Sequence, residues 1–248
     1  MLAPGTVRQK NTMDDLYEHL QRSRLFSCLS DAQTLEIVQG SLVRRLPSRA
    51  PIGTNDERGT SVHLMLEGRA KVCYLTRDGK QPILYFVSRD ELIGEQSIFS
   101  GRTSEDYVET IESSLVASIP TKLLRALVLG EPTFATSLSE LISRRRAQTE
   151  NRVRYLLFLS NRDRLTHLLL DLADQHGTPA AVDAIDLNIK LSHQDLANFI
   201  CSTRETVTVV LGKMQSEGLV TVKRRRVTLQ KPAELARAVD RSIPSISR

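Results

Sequence analysis

Apolar positions recur at two different periods along this chain, and the places where the period changes mark its elements. Between residues 13 and 40, Leu16, Leu20, Leu25, Leu35 and Val38 fall at helical spacing in two pieces, with Ser30-Asp31 as a cap signal before the second. From Ser41 to Pro120 the pattern shortens to alternations of strand length: Val62–Leu66, Arg69–Leu75, Pro82–Val87, Tyr107–Ile111 and Leu115–Ile119. Glu67-Gly68 and Arg77-Asp78-Gly79 sit between them as turn signals. Many short strands with regular turns predict a compact antiparallel roll or barrel.

Helical spacing returns after Pro120. Thr121 is the expected cap of a short helix, Lys122–Leu129, and Glu131-Pro132 opens a long helix to about Leu159. Phe134, Leu138, Leu141 and Ile142 lie on one stripe of it. Arg144-Arg145-Arg146 interrupts the stripe, which resumes at Val153, Leu156, Leu157 and Leu159. So long a helix with so narrow an apolar seam predicts pairing with a second copy, the alternative being a domain-linking helix that lies on its own protein. Asn161–Asp163 is expected to break the run. A further amphipathic helix carries Leu165, Leu168, Leu169 and Leu172, and His176–Asp183 reads as a loop.

The stretch 191–231, LSHQDLANFICSTRETVTVVLGKMQSEGLVTVKRRRVTLQK, carries the most chemistry. Ser192 and Asp195 have capping-box spacing, and Leu196, Phe199 and Ile200 would bury one face of a short helix. A turn at Cys201–Ser202 leads to Thr203, a suitable N-cap for a second helix. There Val207, Val210, Leu211 and Met214 point inward, leaving Arg204, Glu205, Thr208 and Val209 on the opposite side. The alternation Leu219–Leu229 after Gly218 predicts a two-stranded wing carrying Lys223, Arg224, Arg225 and Arg226. A winged helix-turn-helix of this kind reads base edges from the first turns of its second helix.

Charge strengthens that reading. From Cys201 to Lys231 there are seven basic residues against the acids Glu205 and Glu217, a surplus of five that equals that of the whole 248-residue chain. Cation is thus concentrated where phosphates would be met. The opening MLAPGTVRQKN lacks the apolar run of a signal peptide and no segment could span a bilayer, so a cytoplasmic, nucleoid-associated protein without membrane contact is expected. Cys28, Cys73 and Cys201 form no CxxC pair, and the five histidines show no metal-ligand spacing. With no nucleophile–base set, metal constellation or P-loop, an enzyme is not expected. A rival from another class is a nucleotide-sensing module acting on a protein partner, with the helix-turn-helix as an interaction surface; Arg204 and the basic wing speak against it.

The chain resembles the CRP/FNR superfamily of bacterial transcription regulators over nearly its whole length. The resemblance is carried by Leu66-Glu67-Gly68-Arg69-Ala70-Lys71-Val72, by Leu92-Ile93-Gly94-Glu95, by Leu191-Ser192-His193-Gln194-Asp195-Leu196-Ala197 and by Ser202-Thr203-Arg204-Glu205-Thr206-Val207. Ile185–Pro232 is most similar to the cyanobacterial global nitrogen regulator branch. The implied fold is α+β: an N-terminal antiparallel β-roll of the cyclic-nucleotide-binding jelly-roll kind with flanking helices (13–130), a long dimerisation helix (131–160) and a C-terminal winged helix-turn-helix (161–248).

The implied function is a homodimeric regulator reading an inverted repeat in double-stranded DNA, with RNA polymerase as a further partner. Arg204, Glu205, Thr208 and Val209 would meet bases. Ser192, Ser202, Thr203, Lys213, Lys223, Arg224, Arg225 and Arg226 would meet the backbone. Arginine can grip guanine O6/N7 and glutamate can accept from cytosine N4. The family often has a second arginine where this chain has Val209, so one base pair of the half-site is expected to differ.

The resemblance also implies an effector pocket at Gly94, Glu95, Gln96, Ser97, Arg102, Thr103 and Ser104, for a cyclic nucleotide or 2-oxoglutarate, with no cofactor required. Where the family's Arg-Ser phosphate pair is expected, however, the chain has Ser104, Glu105 and Asp106, and carboxylates there would repel an anion. His63 and Cys73 fall on strands whose alternation fits ordinary packing, which disfavours haem.

Overall fold

The computed structural model describes residues 4–53, 59–77, 79–100, 106–180 and 183–246, and it forms two compact units, Met1–Ala147 and Gln148–Arg248. The first opens with α1 (Pro4–Arg22) and α2 (Asp31–Gly40). Ser30 caps α2 as expected: its side chain accepts from the Gln33 N–H while the Gln33 side chain accepts from the Ser30 N–H.

There follow β1 (Leu42–Leu46), β2 (Ser61–Glu67), β3 (Ala70–Cys73), β4 (Ile83–Val87), β5 (Leu92–Ile93), α3 (Gln96–Ser100), β6 (Tyr107–Thr110), β7 (Ser114–Pro120) and α4 (Thr121–Gly130). The strands form two antiparallel sheets, ordered β1-β7-β2-β5 and β4-β3-β6.

Strand alternation gives the larger sheet two buried faces. Val62, Leu64 and Leu66 of β2 and Leu115, Ala117 and Ile119 of β7 pack with Leu16, Leu20, Phe26 and Ile37 on the helical side. Met65 and Val116 turn the other way and join Ala70, Val72, Val87, Ile93 and Val108 inside the roll. The turn at Gly68 has φ +82°, and a Cβ there would lie 2.3 Å from Ser114 Oγ, so only glycine fits. Asp78, in the other expected turn, lies outside the described residues.

Three local expectations are corrected. Thr121 does not cap α4. Pro120 is its N-cap without a side-chain bond, and the Thr121 hydroxyl instead donates to the Gly59 carbonyl at 3.3 Å. The long α5 (Pro132–Phe158) is followed by α6 (Asn161–His176), so the break falls at Leu159-Ser160 and Asn161–Asp163 is already the first turn of α6. Ser160 supplies the cap that sequence reasoning overlooked, accepting from the Asp163 N–H at 3.2 Å. Part of the expected loop after His176 is a strand, β8 (Gly177–Pro179).

The second unit continues with β9 (Ile185–Leu187), α7 (His193–Ile200), α8 (Arg204–Ser216), β10 (Val220–Lys223), β11 (Arg226–Leu229) and α9 (Pro232–Ala238). The wing is therefore not an isolated hairpin: it belongs to an antiparallel sheet ordered β10-β11-β9-β8. Leu165, Leu168, Leu169 and Leu172 of α6 are buried, as their spacing predicted.

Candidate nucleic-acid interface and roll cavity

Two caps and one left-handed residue build the helix-turn-helix. Ser192 Oγ accepts from the Asp195 N–H at 3.1 Å and the Asp195 carboxylate accepts from the Ser192 N–H at 3.0 Å, closing the capping box of α7. Leu196, Ala197 and Ile200 are buried, whereas Phe199, expected to share that face fully, is only half-buried. Cys201 ends α7 at φ 51° and ψ 50°, reversing the chain within a residue. Ser202 N–H bonds back to the Ala197 carbonyl at 2.9 Å, and Thr203 then caps α8 by accepting from the Thr206 N–H at 3.2 Å.

Val207, Leu211 and Met214 of α8 are buried and Val210 is half-buried, while Arg204, Glu205, Thr208 and Val209 are exposed together on the other face. Thr208 is less free than its position suggests. Its hydroxyl donates to the Arg204 carbonyl at 2.8 Å and lies 2.8 Å from His193 Nδ1, which must then be the donor to it. Sequence reasoning missed this role of His193, the first residue of α7.

Lys213 is exposed on the last turns of α8, and Lys223, Arg224, Arg225 and Arg226 are exposed at the wing tip. Arg224 and Arg225 both have positive φ, 49° and 67°, the conformation that a two-residue hairpin turn demands and that Asn-Gly usually supplies. The Arg225 carbonyl accepts from the Leu191 N–H at 3.1 Å, which ties the wing tip to the chain entering α7. Glu217, one of the two acids in this segment, is taken up by Arg162 of α6 in a two-pronged pair with one contact of 2.8 Å. The hydrogen bonds from Arg162 hold the Glu217 carboxyl below the usual carboxylate range.

In the first unit an open cavity is lined by Ile52, Val72, Tyr85, Ile93, Gly94, Glu95, Gln96, Ser97, Asp106 and Val108, among others. Gly94, Glu95, Gln96 and Ser97 of the expected effector pocket are among its lining residues. Arg102, Thr103, Ser104 and Glu105 lie outside the described residues. Glu95 is 3 % exposed and paired with Arg145 of α5 at 2.7 Å. A second nitrogen of that guanidinium donates to the Leu92 carbonyl at 2.6 Å, and its carbon lies 4.8 Å from the Tyr85 ring centroid. Burial raises the Tyr85 hydroxyl above the usual phenol range. The arginine run was visible in the sequence as a gap in the apolar stripe of α5; which of its members turns inward was not.

His63 also lines the cavity, its Nδ1 2.9 Å from Ser118 Oγ, and Cys73 is buried on β3. Among the described residues no group of three or more His, Cys, Asp or Glu could hold a metal ion. No described helix is long and apolar enough to cross a membrane.

A β-roll with an internal cavity, followed by a winged helix-turn-helix with a basic reading face, defines a two-part regulator of transcription. The cyclic nucleotide-binding domain model matches residues 43–130 and the Crp-like helix-turn-helix domain model matches residues 163–238. The chain is 28% identical over 177 residues to the global nitrogen regulator of Synechococcus elongatus, covering 71% of this chain and 79% of that protein. It is 25% identical over 188 residues to the cAMP-activated global transcriptional regulator CRP of Salmonella typhimurium, covering 75% and 89%. A CRP-family transcriptional regulator from Thermus thermophilus has the same fold, with a TM-score of 0.68 at 22% identity over 82% of this chain and 100% of that one. The chain belongs to the CRP/FNR superfamily and is a transcription regulator with a DNA-binding helix-turn-helix and a cyclic-nucleotide-binding-type domain. The relatives matched are regulators, not enzymes.

Proposed function

We propose that this protein acts as a cytoplasmic homodimer that reads an inverted repeat, with Arg204 and Glu205 specifying bases. Lys213 and the Lys223–Arg226 wing tip bind phosphates, as do Ser192, Ser202 and Thr203 beside the turn, and RNA polymerase is the downstream partner. The supporting observation is the exposure of Arg204 and Glu205 on the first turn of α8, capped by Thr203 and flanked by the cationic wing tip. Thr208 acts mainly by orienting His193, and Val209 offers apolar contact to a thymine methyl. A second copy pairs along Val153 and Leu157, one helical turn apart on α5 and 49% and 68% exposed. Selection of duplexes from a randomised inverted-repeat library, repeated at several salt concentrations, tests the reading. Recovery of one half-site and a steep salt slope is expected; equal binding to scrambled duplexes overturns it.

For the roll we infer a small effector that is not held as a phosphodiester. Glu95 is engaged by Arg145, and Asp106 adds a second carboxylate to the cavity wall, which disfavours an anion. Cyclic AMP, cyclic GMP and 2-oxoglutarate are each expected to leave the melting temperature and the operator affinity unchanged. A change of about tenfold in affinity with any of them would restore the family's usual ligand to this pocket.

A further inference from the structure

We infer that Arg152 of α5 is a positioning residue for the DNA-reading helix. One of its terminal nitrogens donates to the Phe199 carbonyl at 2.6 Å, and its guanidinium carbon sits 4.2 Å from the Phe199 ring centroid. Phe199 is in the last turn of α7, where backbone carbonyls lack helical partners and the helix dipole favours a cation. A single side chain therefore donates to a carbonyl at this helix end, complements the dipole and stacks on the ring of the same residue.

This end of α7 leads directly into the reading helix. Two residues after Phe199 the backbone enters the left-handed conformation of Cys201, and Thr203 then begins α8 with Arg204 and Glu205. An L side chain in that conformation is disfavoured by about 1–2 kcal/mol and persists only when neighbouring contacts impose it. The Ser202–Ala197 hydrogen bond imposes it from within the turn, and Arg152 holds the carbonyl end of α7 from outside. Lysine could supply the charge but neither the planar stack nor the directed fork.

The inference rests on the proposed DNA reading, and the test separates the two. Wild-type full-length protein is first measured on the selected inverted repeat and on a scrambled duplex of equal length; no preference there sinks the DNA reading itself. Given a preference, R152M, R152K and F199L are measured at several salt concentrations, with the folded fraction of each determined by thermal melting. R152M is expected to weaken the selected duplex about tenfold, leaving the scrambled duplex and the salt slope unchanged. R152K and F199L are expected to fall between it and wild type. Parallel loss on both duplexes with a slope reduced by about one marks a direct phosphate contact and overturns the proposal. So does unchanged affinity of the folded fraction, which leaves Arg152 a role in stability alone.

Discussion

At the scale of single residues, the chemistry of the reading face turns on which side chains still have hydrogen-bonding capacity to offer. Thr208 has spent its proton on the Arg204 carbonyl and accepts from His193, so it has little left for a base. Val209, 58% exposed, has none. In the proposed reading base selection therefore falls to Arg204 and Glu205, and the Val209 position supplies a direct check. V209R should add a bidentate donor one helical turn on and impose guanine at one base pair, with discrimination of about 1–3 kcal/mol against other bases. Competition binding to duplexes varied at that pair measures it. An unchanged preference would mean that this side chain does not face the groove floor. Residue types and spacing made the capping pairs legible, because each cap acts on a neighbour three positions away, and helical spacing alone put Arg204 and Glu205 on the exposed face. Arg145 and Arg152 were not legible. Their partners, Glu95 and Phe199, lie far off in sequence, and an arginine in a helix gives no local sign of which way it turns.

Elements were readable where local chemistry decides them and misread where a contact distant in sequence intervenes. Ser30, Ser192 and Thr203 cap as spacing predicts, whereas Thr121 yields to Pro120 because its hydroxyl finds the Gly59 carbonyl instead. The wing hairpin was legible by alternation, but its pairing through β11 to β9 is a long-range contact that no local pattern reports. Its tip sets the fold against the proposed phosphate contacts. Two arginines occupy left-handed positions that Asn-Gly would fill with less strain. R224N/R225G should therefore stabilise the protein by about 1 kcal/mol while weakening DNA binding and reducing the salt slope by about two. Melting curves read alongside salt titrations decide this; loss of stability would show that the arginines hold the turn by contacts of their own.

The helix α6 carries a pH dependence of definite sign. His167 is buried, its ring stacked on Tyr155 with centroids 4.0 Å apart, and burial together with the nearby Arg241 lowers its pKa below the ordinary value of 6.5. The unfolded chain then binds this proton more readily than the folded one, so His167 removes stability as the pH falls through about 6.5 and below. Melting temperature should drop on going from neutral to mildly acidic buffer, and H167F, which keeps the aromatic stack, should flatten that drop. An identical profile in the variant would assign the acid sensitivity elsewhere, His19 being the next candidate, since burial lowers its pKa too.

For the whole molecule, the proposed dimer and the proposed operator stand or fall together through the salt dependence. Val153, Leu157 and Phe158 leave an apolar surface on the last turns of α5, with Phe158 80% exposed, and a second copy of the same helix covers such a seam with least loss. Leu157 makes so little contact within one chain, at 68% exposed, that L157K should leave the fold intact while placing a charge in the seam. The variant should sediment as a monomer. Each monomer carries a single reading helix and wing, so it can engage only one half-site. Its phosphate contacts per bound protein, and with them the slope of log affinity against log salt, should fall to about half the wild-type value. Affinity for an isolated half-site should be unchanged, because Arg204, Glu205 and the wing are untouched. A variant that stays dimeric places the interface elsewhere on the chain. One that becomes monomeric yet keeps the full slope refutes two-fold reading of an inverted repeat, whatever the helix-turn-helix itself can do.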